Sequence, residues 1–229
     1  MHAYYANRKT GLLKSFHANL DQIRDQIDAV FAGPTLRDLE KQLDAEFEDV
    51  LSELPWVGGD DGRMTQYFEA NTGVIALGRV LLAQGVAKSD TSHILQSLFL
   101  GGLRKMDEAD RFAMGDSFMS PQNLETLRHL AEQSRLRQNP GDFVYTFLEA
   151  GVDEDGDVFE FGLNYHECGF CKLCAKTGDT DVLPMICGMD EESYGLRGVK
   201  LKRTQTLASG AQFCNFRYSR LPKQGGADT

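Results

Sequence analysis

The hydrophobic period of the chain changes at about Asp142, and this change restricts the fold more than any other feature. Before it, apolar residues recur every three or four positions, as in amphipathic helices. After it, apolar and polar residues alternate, as in strands with one buried face. Helices followed by strands indicate an α+β protein. We therefore expect a helical N-terminal half packed on a small antiparallel sheet of two hairpins, with a helical insert between the hairpins.

The helical half divides where breakers and caps occur. One apolar stripe predicts a long first helix that stops at Gly33 and Pro34; its members are Leu13, Phe16, Leu20, Ile23, Ile27 and Val30. A second helix over about 36–50 should end before Pro55, and a loop at 54–59 should follow. Further helices are predicted at about 64–84, after cap residues 89–91, and from the Ser120–Pro121 pair.

The second half predicts the two hairpins. Strands at 143–148 and 158–165 flank a charged turn, and strands at 199–207 and 212–219 flank Ser209–Gly210. Short helices are expected at about 168–176 and 181–189. The resulting division is a helical region at 1–140, a cysteine-rich α+β region at 141–221 that carries the site, and a disordered tail at 222–229.

Composition excludes several classes of partner. The net charge of −10, from 34 acidic and 24 basic residues, argues against nucleic acid, which requires a clustered basic face. No stretch is apolar over the roughly 18 residues of a membrane span, and the N-terminus has no signal-peptide pattern. Five cysteines without an export signal favour free thiols or a metal site over disulfides. We therefore expect a cytoplasmic protein.

The segment from Asn164 to Cys174 has the residue types best suited to chemistry. Cys168 should lie between the end of a strand and the start of a helix, where free N–H groups and the helix dipole stabilise a thiolate. His166 and Glu167 precede it and are suited to proton transfer. The sequence is equally compatible with a nucleophilic Cys168 and with a buried, inert one.

The same cysteines suggest a rival prediction, a metal site. Cys168, Cys171 and Cys174 have the spacing C-x2-C-x2-C, and Cys187 or His166 could complete a zinc or iron–sulfur ligand set. However, the bacterial ferredoxin pattern would need a fourth cysteine at position 178, where Gly178 stands. We expect no cofactor and keep zinc or an iron–sulfur cluster as the alternative.

The last hairpin brings an arginine among apolar neighbours. Alternation puts Arg203 on the face of Val199 and Leu201, where it needs a carboxylate, either that of a residue such as Asp190 or that of a ligand. On the final strand, Cys214, Phe216 and Tyr218 should share one face, while Asn215 and Arg217 take the other.

Three aspartates, Asp153, Asp155 and Asp157, lie at the tip of the first hairpin. Their spacing is that of a calcium loop, but Val158 stands where an EF-hand loop requires glycine. A charged hairpin tip is therefore expected.

Taken together, several blocks resemble the L-2-amino-thiazoline-4-carboxylic acid hydrolase family. The blocks occur in order at residues 54–59, 142–145, 161–172, 183–190, 201–210 and 214–218. They include Glu167-Cys168-Gly169-Phe170-Cys171 and Cys214-Asn215-Phe216-Arg217-Tyr218. Two departures are Asn215, where the family pattern usually has Asp, and the additional thiol of Cys174.

The resemblance implies a hydrolase of non-peptide C–N bonds that opens a carboxylate-bearing cyclic amidine, a 2-aminothiazoline, to an N-carbamoyl amino acid. Cys168 would attack the amidine carbon or assist water there. Glu167, His166 or Asp190 would move protons, and Arg203 or Arg217 would hold the substrate carboxylate. The remaining residues expected at the substrate are Cys187, Cys214, Thr206 and Trp56. The alternative is a non-enzymatic module that senses a small ligand, a metal or an iron–sulfur cluster.

Overall fold

The structure, a computed structural model, describes residues 1–31 and 35–222. The helix stop expected at Gly33–Pro34 and nearly all of the tail expected to be disordered lie outside these residues.

The α+β prediction is confirmed. The helices are α1 Ala3–Gln22, α2 Arg24–Val30, α3 Leu36–Glu53, α4 Thr65–Ala83, α5 Lys88–Lys105, α6 Glu108–Phe118, α7 Pro121–Ser134, α8 Gly169–Thr177 and α9 Leu183–Gly195. The strands are β1 Val144–Leu148, β2 Gly151–Val152, β3 Val158–Phe159, β4 Phe161–Glu167, β5 Val199–Lys202 and β6 Cys214–Arg220. An antiparallel sheet has the strand order β1-β4-β6-β5, and β2 pairs with β3 at the first hairpin's tip.

Several local predictions are correct and others are wrong. The Ser120 hydroxyl accepts a hydrogen bond from the Asn123 N–H at 3.2 Å and caps α7, as expected. The single long first helix is wrong, because Ile23 leaves helical geometry (φ −120°, ψ 15°) and separates α1 from α2. The cap at 89–91 is also wrong, because α5 already begins at Lys88. Helix α6 was not predicted.

The chain folds as two compact units that each combine distant segments. The first contains Met1–Gly101, Asn139–Gly141 and Gly169–Cys187, and the second contains Gly102–Gln138, Asp142–Cys168 and Gly188–Thr229. The division between the two units falls inside α5 and inside α9. In the described part of the chain, no helix is long and apolar enough to cross a bilayer.

In the first unit, helices α1, α3 and α4 pack around aromatic and aliphatic side chains. The rings of Phe16 and Phe47 stack at 5.1 Å, and Gly73 leaves room for Phe16. The Arg79 guanidinium on α4 binds Asp179, which lies in the turn between α8 and α9, through two hydrogen bonds of 2.7 and 2.8 Å. Helix α3 adds Glu46 and Asp49 to this network at 3.0 and 2.6 Å.

In the second unit, α7 packs on β1 and the sheet has one apolar face. The core of this unit contains Met119, Leu127, Ala131, Tyr145, Phe161, Leu163, Val199, Leu201 and Tyr218. The pairing of β4 with β6 fixes the faces: Leu163 lies opposite Phe216, Asn164 opposite Asn215 and Tyr165 opposite Cys214. The predicted faces of the final strand are therefore confirmed.

Candidate active site

The strand register brings chain segments that are far apart in sequence to one end of the sheet. Strand β4 ends beside the start of β6, where Tyr165 pairs with Cys214, and Cys168 follows one residue after β4. Strand β5 runs toward the same end, since Lys202 pairs with Arg217 and residue 205 bonds to Asn215. We call this region, comprising Cys168, residues 203–207 and Cys214, the thiol end of the sheet. It contains three predicted site residues besides Arg203: Cys168, Thr206 and Cys214.

Arg203 forms an ion pair with Asp190 at the thiol end. Its Nη1 lies 2.7 Å from Asp190 Oδ2, and its guanidinium lies 4.8 Å above the centre of the Phe216 ring. The structure thus supplies Asp190 as a carboxylate for Arg203, one of the two partners left open by the sequence. Arg203 follows the last residue of β5, so its expected place inside a strand is wrong.

The environment of Asp190 suits it to proton transfer. Desolvation by the surrounding protein raises the pKa of Asp190 to about 6, although the positive charge of Arg203 opposes this shift. Its side chain nevertheless keeps 39% of its surface accessible, which leaves a path for a proton or a ligand. A carboxyl with a pKa this close to neutrality can act as either acid or base.

Aromatic rings line the face of the sheet that carries Cys214. Tyr218 packs against Tyr194 with ring centres 5.0 Å apart, and Tyr165 packs against Phe216 at 5.1 Å. Burial raises the pKa of Tyr218 well above its usual value, and the negative charge of Asp190 contributes to this shift. Tyr218 is therefore a neutral phenol, and the ion pair lies beside a surface of low polarity.

Hydrogen bonds to side chains fix the conformation of the loop that begins at residue 203. The Leu207 N–H donates to Cys214 Sγ at 3.1 Å, and Thr206 Oγ1 accepts from the Ser209 N–H at 3.1 Å. Asn215 Oδ1 accepts from the N–H groups of Thr204 and Gln205 at 3.0 and 2.9 Å. Asn215 is thus a structural residue of this loop, a role that the sequence analysis missed.

The two residues before Cys168 have separate partners. Glu167 binds Arg137, with Oε1 2.6 Å from Nε. His166 is exposed, and its Nε2 lies 3.3 Å from Thr146 Oγ1. Alternation along β4 puts His166 with Asn164, on the face opposite Tyr165. Their roles in proton transfer remain predictions.

Four other predicted residues belong to the first unit: Trp56, Cys171, Cys174 and Cys187. Burial raises the pKa of the Cys174 thiol to about 12, and the nearby Asp179, Cys171 and Cys187 add to the shift. Cys174 is therefore a neutral thiol. Trp56 stacks on His2 with ring centres 4.1 Å apart. Within residues 1–31 and 35–222, no three or more His, Cys, Asp and Glu side chains are arranged to hold a metal ion.

The charged hairpin tip is organised by a lysine that the sequence analysis did not single out. Lys202 Nζ lies 2.8, 2.7 and 2.9 Å from carboxylate oxygens of Asp153, Asp155 and Asp157. Hydrogen bonds with Lys202 lower the pKa values of Asp153 and Asp157. The available signal was the alternation of Lys200 and Lys202 on a strand beside an acidic turn.

Comparison with known proteins identifies a family. The family model described as L-2-amino-thiazoline-4-carboxylic acid hydrolase matches residues 98–218, which include Cys168, Asp190, Arg203 and Cys214. The block at 54–59 lies outside the matched residues. No curated protein and no solved structure matches the chain. Since the family model covers more than half of the 229 residues, the chain belongs to the L-2-amino-thiazoline-4-carboxylic acid hydrolase family.

Proposed function

We propose that the protein hydrolyses a small cyclic amidine bearing a carboxylate, with 2-aminothiazoline-4-carboxylate as the reference substrate. The observation that carries this proposal is the composition of the thiol end. Strand pairing brings Cys168 and Cys214 to the same end of the sheet as the Asp190–Arg203 ion pair. A nucleophile, a proton-transfer group and a cation for the substrate carboxylate are the parts that such a reaction requires.

The atom balance specifies the bond that breaks. Water supplies its oxygen to C2 of the ring, and its two hydrogens go to the ring sulfur and the ring nitrogen. The C2–S bond breaks and C2 becomes the carbonyl of an N-carbamoyl amino acid with a free thiol. Opening a thiazoline to this product therefore cleaves a C–S bond, and the expectation of C–N cleavage is corrected on chemical grounds.

Cys168 is proposed as the nucleophile. Its sulfur bonds to C2, and the ring sulfur leaves as a thiolate and takes a proton. Water then adds to the same carbon and displaces Cys168. Asp190 accepts one proton from this water and passes it to the ring nitrogen, while the second water proton replaces the one given to the leaving sulfur; accepting a proton suits a carboxyl with a pKa of about 6. Glu167 and His166 remain proposed proton carriers for the leaving sulfur.

Arg203 is proposed to hold the substrate carboxylate. A guanidinium has five N–H donors in a planar fork, and Nη1 of Arg203 donates to Asp190 Oδ2. The same cation would thereby position the substrate and Asp190 relative to each other. Cys214 would line the ring-binding surface, and Cys187, Thr206 and Trp56 remain proposed substrate contacts.

The test measures thiol release from 2-aminothiazoline-4-carboxylate. Cys168→Ser should abolish release while the circular dichroism spectrum stays native. The matched control is Cys171→Ser, since Cys171 is three residues away and is also half-buried. This control should retain wild-type activity. Full turnover by Cys168→Ser would refute the nucleophile assignment.

The same variants separate the alternative functions. We propose that the reaction needs no cofactor. If Cys168, Cys171, Cys174 and Cys187 held zinc or an iron–sulfur cluster, both serine variants would lose activity and the purified protein would contain stoichiometric metal. Binding of the thiazoline without any turnover would instead favour a ligand-sensing module.

A further inference from the structure

The face of the sheet opposite Cys214 has a polar cavity. Its volume is about 130 Å³, and its walls include Asp153, Glu154, Phe159, Lys202, Asn215 and Arg217. All of these residues belong to the second unit. We call this cavity the Arg217 pocket. It shares Thr204 with the thiol end, but Arg217 and Cys214 are on opposite faces of β6.

Arg217 provides the pocket with a cation that has spare donors. Its Nη1 donates to Asn164 Oδ1 at 2.9 Å and to the Phe216 carbonyl at 3.0 Å. Among residues 1–31 and 35–222, no carboxylate forms an ion pair with Arg217, and its Nε and Nη2 donate no hydrogen bond. Arg217 is half-buried, and desolvation lowers its pKa although the negative charges of Asp153 and Glu154 oppose this shift. A half-buried arginine with free donors and no carboxylate in contact can bind an anion.

Gly162 makes room for the guanidinium. It pairs with Arg217 across β4 and β6. A Cβ at position 162 would lie 3.1 Å from both Cδ and Nη1 of Arg217 and 2.9 Å from the Phe216 carbonyl oxygen. Phe159 covers the other side, with its ring centre 5.3 Å from the guanidinium carbon. The arginine is thus held in one orientation by its neighbours.

The opposite wall of the pocket contains a carboxylate that is in contact with no cation. Asp153 and Asp155 form ion pairs with Lys202, which they share with Asp157. Glu154 is exposed, and in the described part of the chain it forms neither an ion pair nor a hydrogen bond. The pocket therefore has a cation, Arg217, that contacts no carboxylate, and an anion, Glu154, that contacts no cation, although each charge lies within electrostatic range of the other.

We propose that the Arg217 pocket binds a small zwitterionic α-amino acid. Nε and Nη2 of Arg217 would bind its carboxylate, and Glu154 would bind its ammonium group. Since one water occupies about 30 Å³ in the liquid, a pocket of this volume has room for about four waters and hence for glycine or alanine. The proposal is independent of the hydrolytic reaction.

Titration calorimetry with L-alanine tests this site on the full chain. We expect a Kd of about 1 mM, which is typical of a ligand with six non-hydrogen atoms. Propionate has the carboxylate alone and should bind at least tenfold more weakly. Arg217→Met should weaken L-alanine binding by at least tenfold. Glu154→Gln should weaken L-alanine binding but leave propionate unchanged.

Three further variants guard against misfolding and nonspecific effects. Gly162→Ala should displace the guanidinium and weaken both ligands, and Arg217→Lys should weaken both because it removes the planar fork. Arg128→Met, which changes an arginine on α7 of the same unit, should leave both affinities unchanged. The proposal is overturned if L-alanine produces no binding heat at 20 mM, if Arg217→Lys binds as wild type, or if Glu154→Gln leaves L-alanine binding unchanged.

Discussion

Replacement of Arg79 by methionine should remove a large part of the stability of the first unit. Arg79 is 17% exposed and binds Asp179, which is 7% exposed, through both carboxylate oxygens. Methionine retains an apolar stem of similar length but leaves the Asp179 charge buried without its cation. Removing one partner of a buried pair costs about 3–5 kcal/mol.

The lower end of this range applies to Arg79. Asp179 still accepts a hydrogen bond from the Thr177 hydroxyl, which offsets part of the loss. Glu46 and Asp49 are 32% and 60% exposed, so losing their ion pairs adds little. We therefore expect Arg79→Met to lower the free energy of unfolding by about 3 kcal/mol. For a urea m-value of about 3 kcal/mol/M, the midpoint should fall by about 1 M.

Urea denaturation followed by circular dichroism provides the assay. Arg128→Met is the matched control, because Arg128 also binds two carboxylates, Glu125 and Glu149, but at the surface. It should change the free energy by less than about 1 kcal/mol. The double variant Arg79→Met/Asp179→Asn should recover most of the stability that Arg79→Met loses, because it no longer buries the uncompensated charge of Asp179. A midpoint for Arg79→Met equal to that of Arg128→Met, or strictly additive losses in the double variant, would refute this reasoning.

Three further predictions concern packing, charge and catalysis. Gly73→Ala should cost about 1–3 kcal/mol in thermal denaturation, because the new methyl group would lie 2.4 Å from Phe16, whereas Gly101→Ala meets nothing within 4 Å and should not destabilise. Lys202→Met should raise the pKa values of Asp153 and Asp157 in an NMR titration, because Lys202 lowers both. The stabilisation by Lys202 should therefore be present at neutral pH and lost as the pH falls below about 4. Unchanged pKa values in the variant would contradict this prediction. Asp190 is ionised above a pH of about 6, so kcat/KM should fall as the pH drops through this value. Asp190→Asn should abolish this fall and reduce the rate by about 10²–10⁴-fold. A wild-type pH profile in the variant would exclude Asp190 as the base.

Features with a local physical cause could be predicted from the sequence. The Ser120–Pro121 pair predicted the start of α7 because the cap bond forms within three residues. Alternation predicted that Cys214, Phe216 and Tyr218 share a face, since successive side chains of a strand point in opposite directions. The family resemblance likewise depended on short blocks of residues.

Features that depend on distant segments could not be predicted in this way. Strand β4 lies between β1 and β6, so the two hairpins are joined by pairs of residues about 50 positions apart in the sequence. Arg203 was expected within a strand, but Asn215 binds the Thr204 and Gln205 N–H groups and draws the chain away from regular pairing. Asn215 also donates to Thr204 Oγ1 at 2.7 Å, which an ionised aspartate could not do. Its presence where the family pattern usually has Asp thus has a structural consequence.

The most direct test of the proposal that the thiol end opens a thiazoline ring is hydrolysis in water enriched in oxygen-18. The protein is incubated with 2-aminothiazoline-4-carboxylate, and the products are measured by mass spectrometry together with the concentration of free thiol. We expect one thiol per ring opened and one oxygen-18 in the carbamoyl group. A ring that stays intact with stoichiometric protein, or a product without the labelled carbonyl, would contradict the proposal.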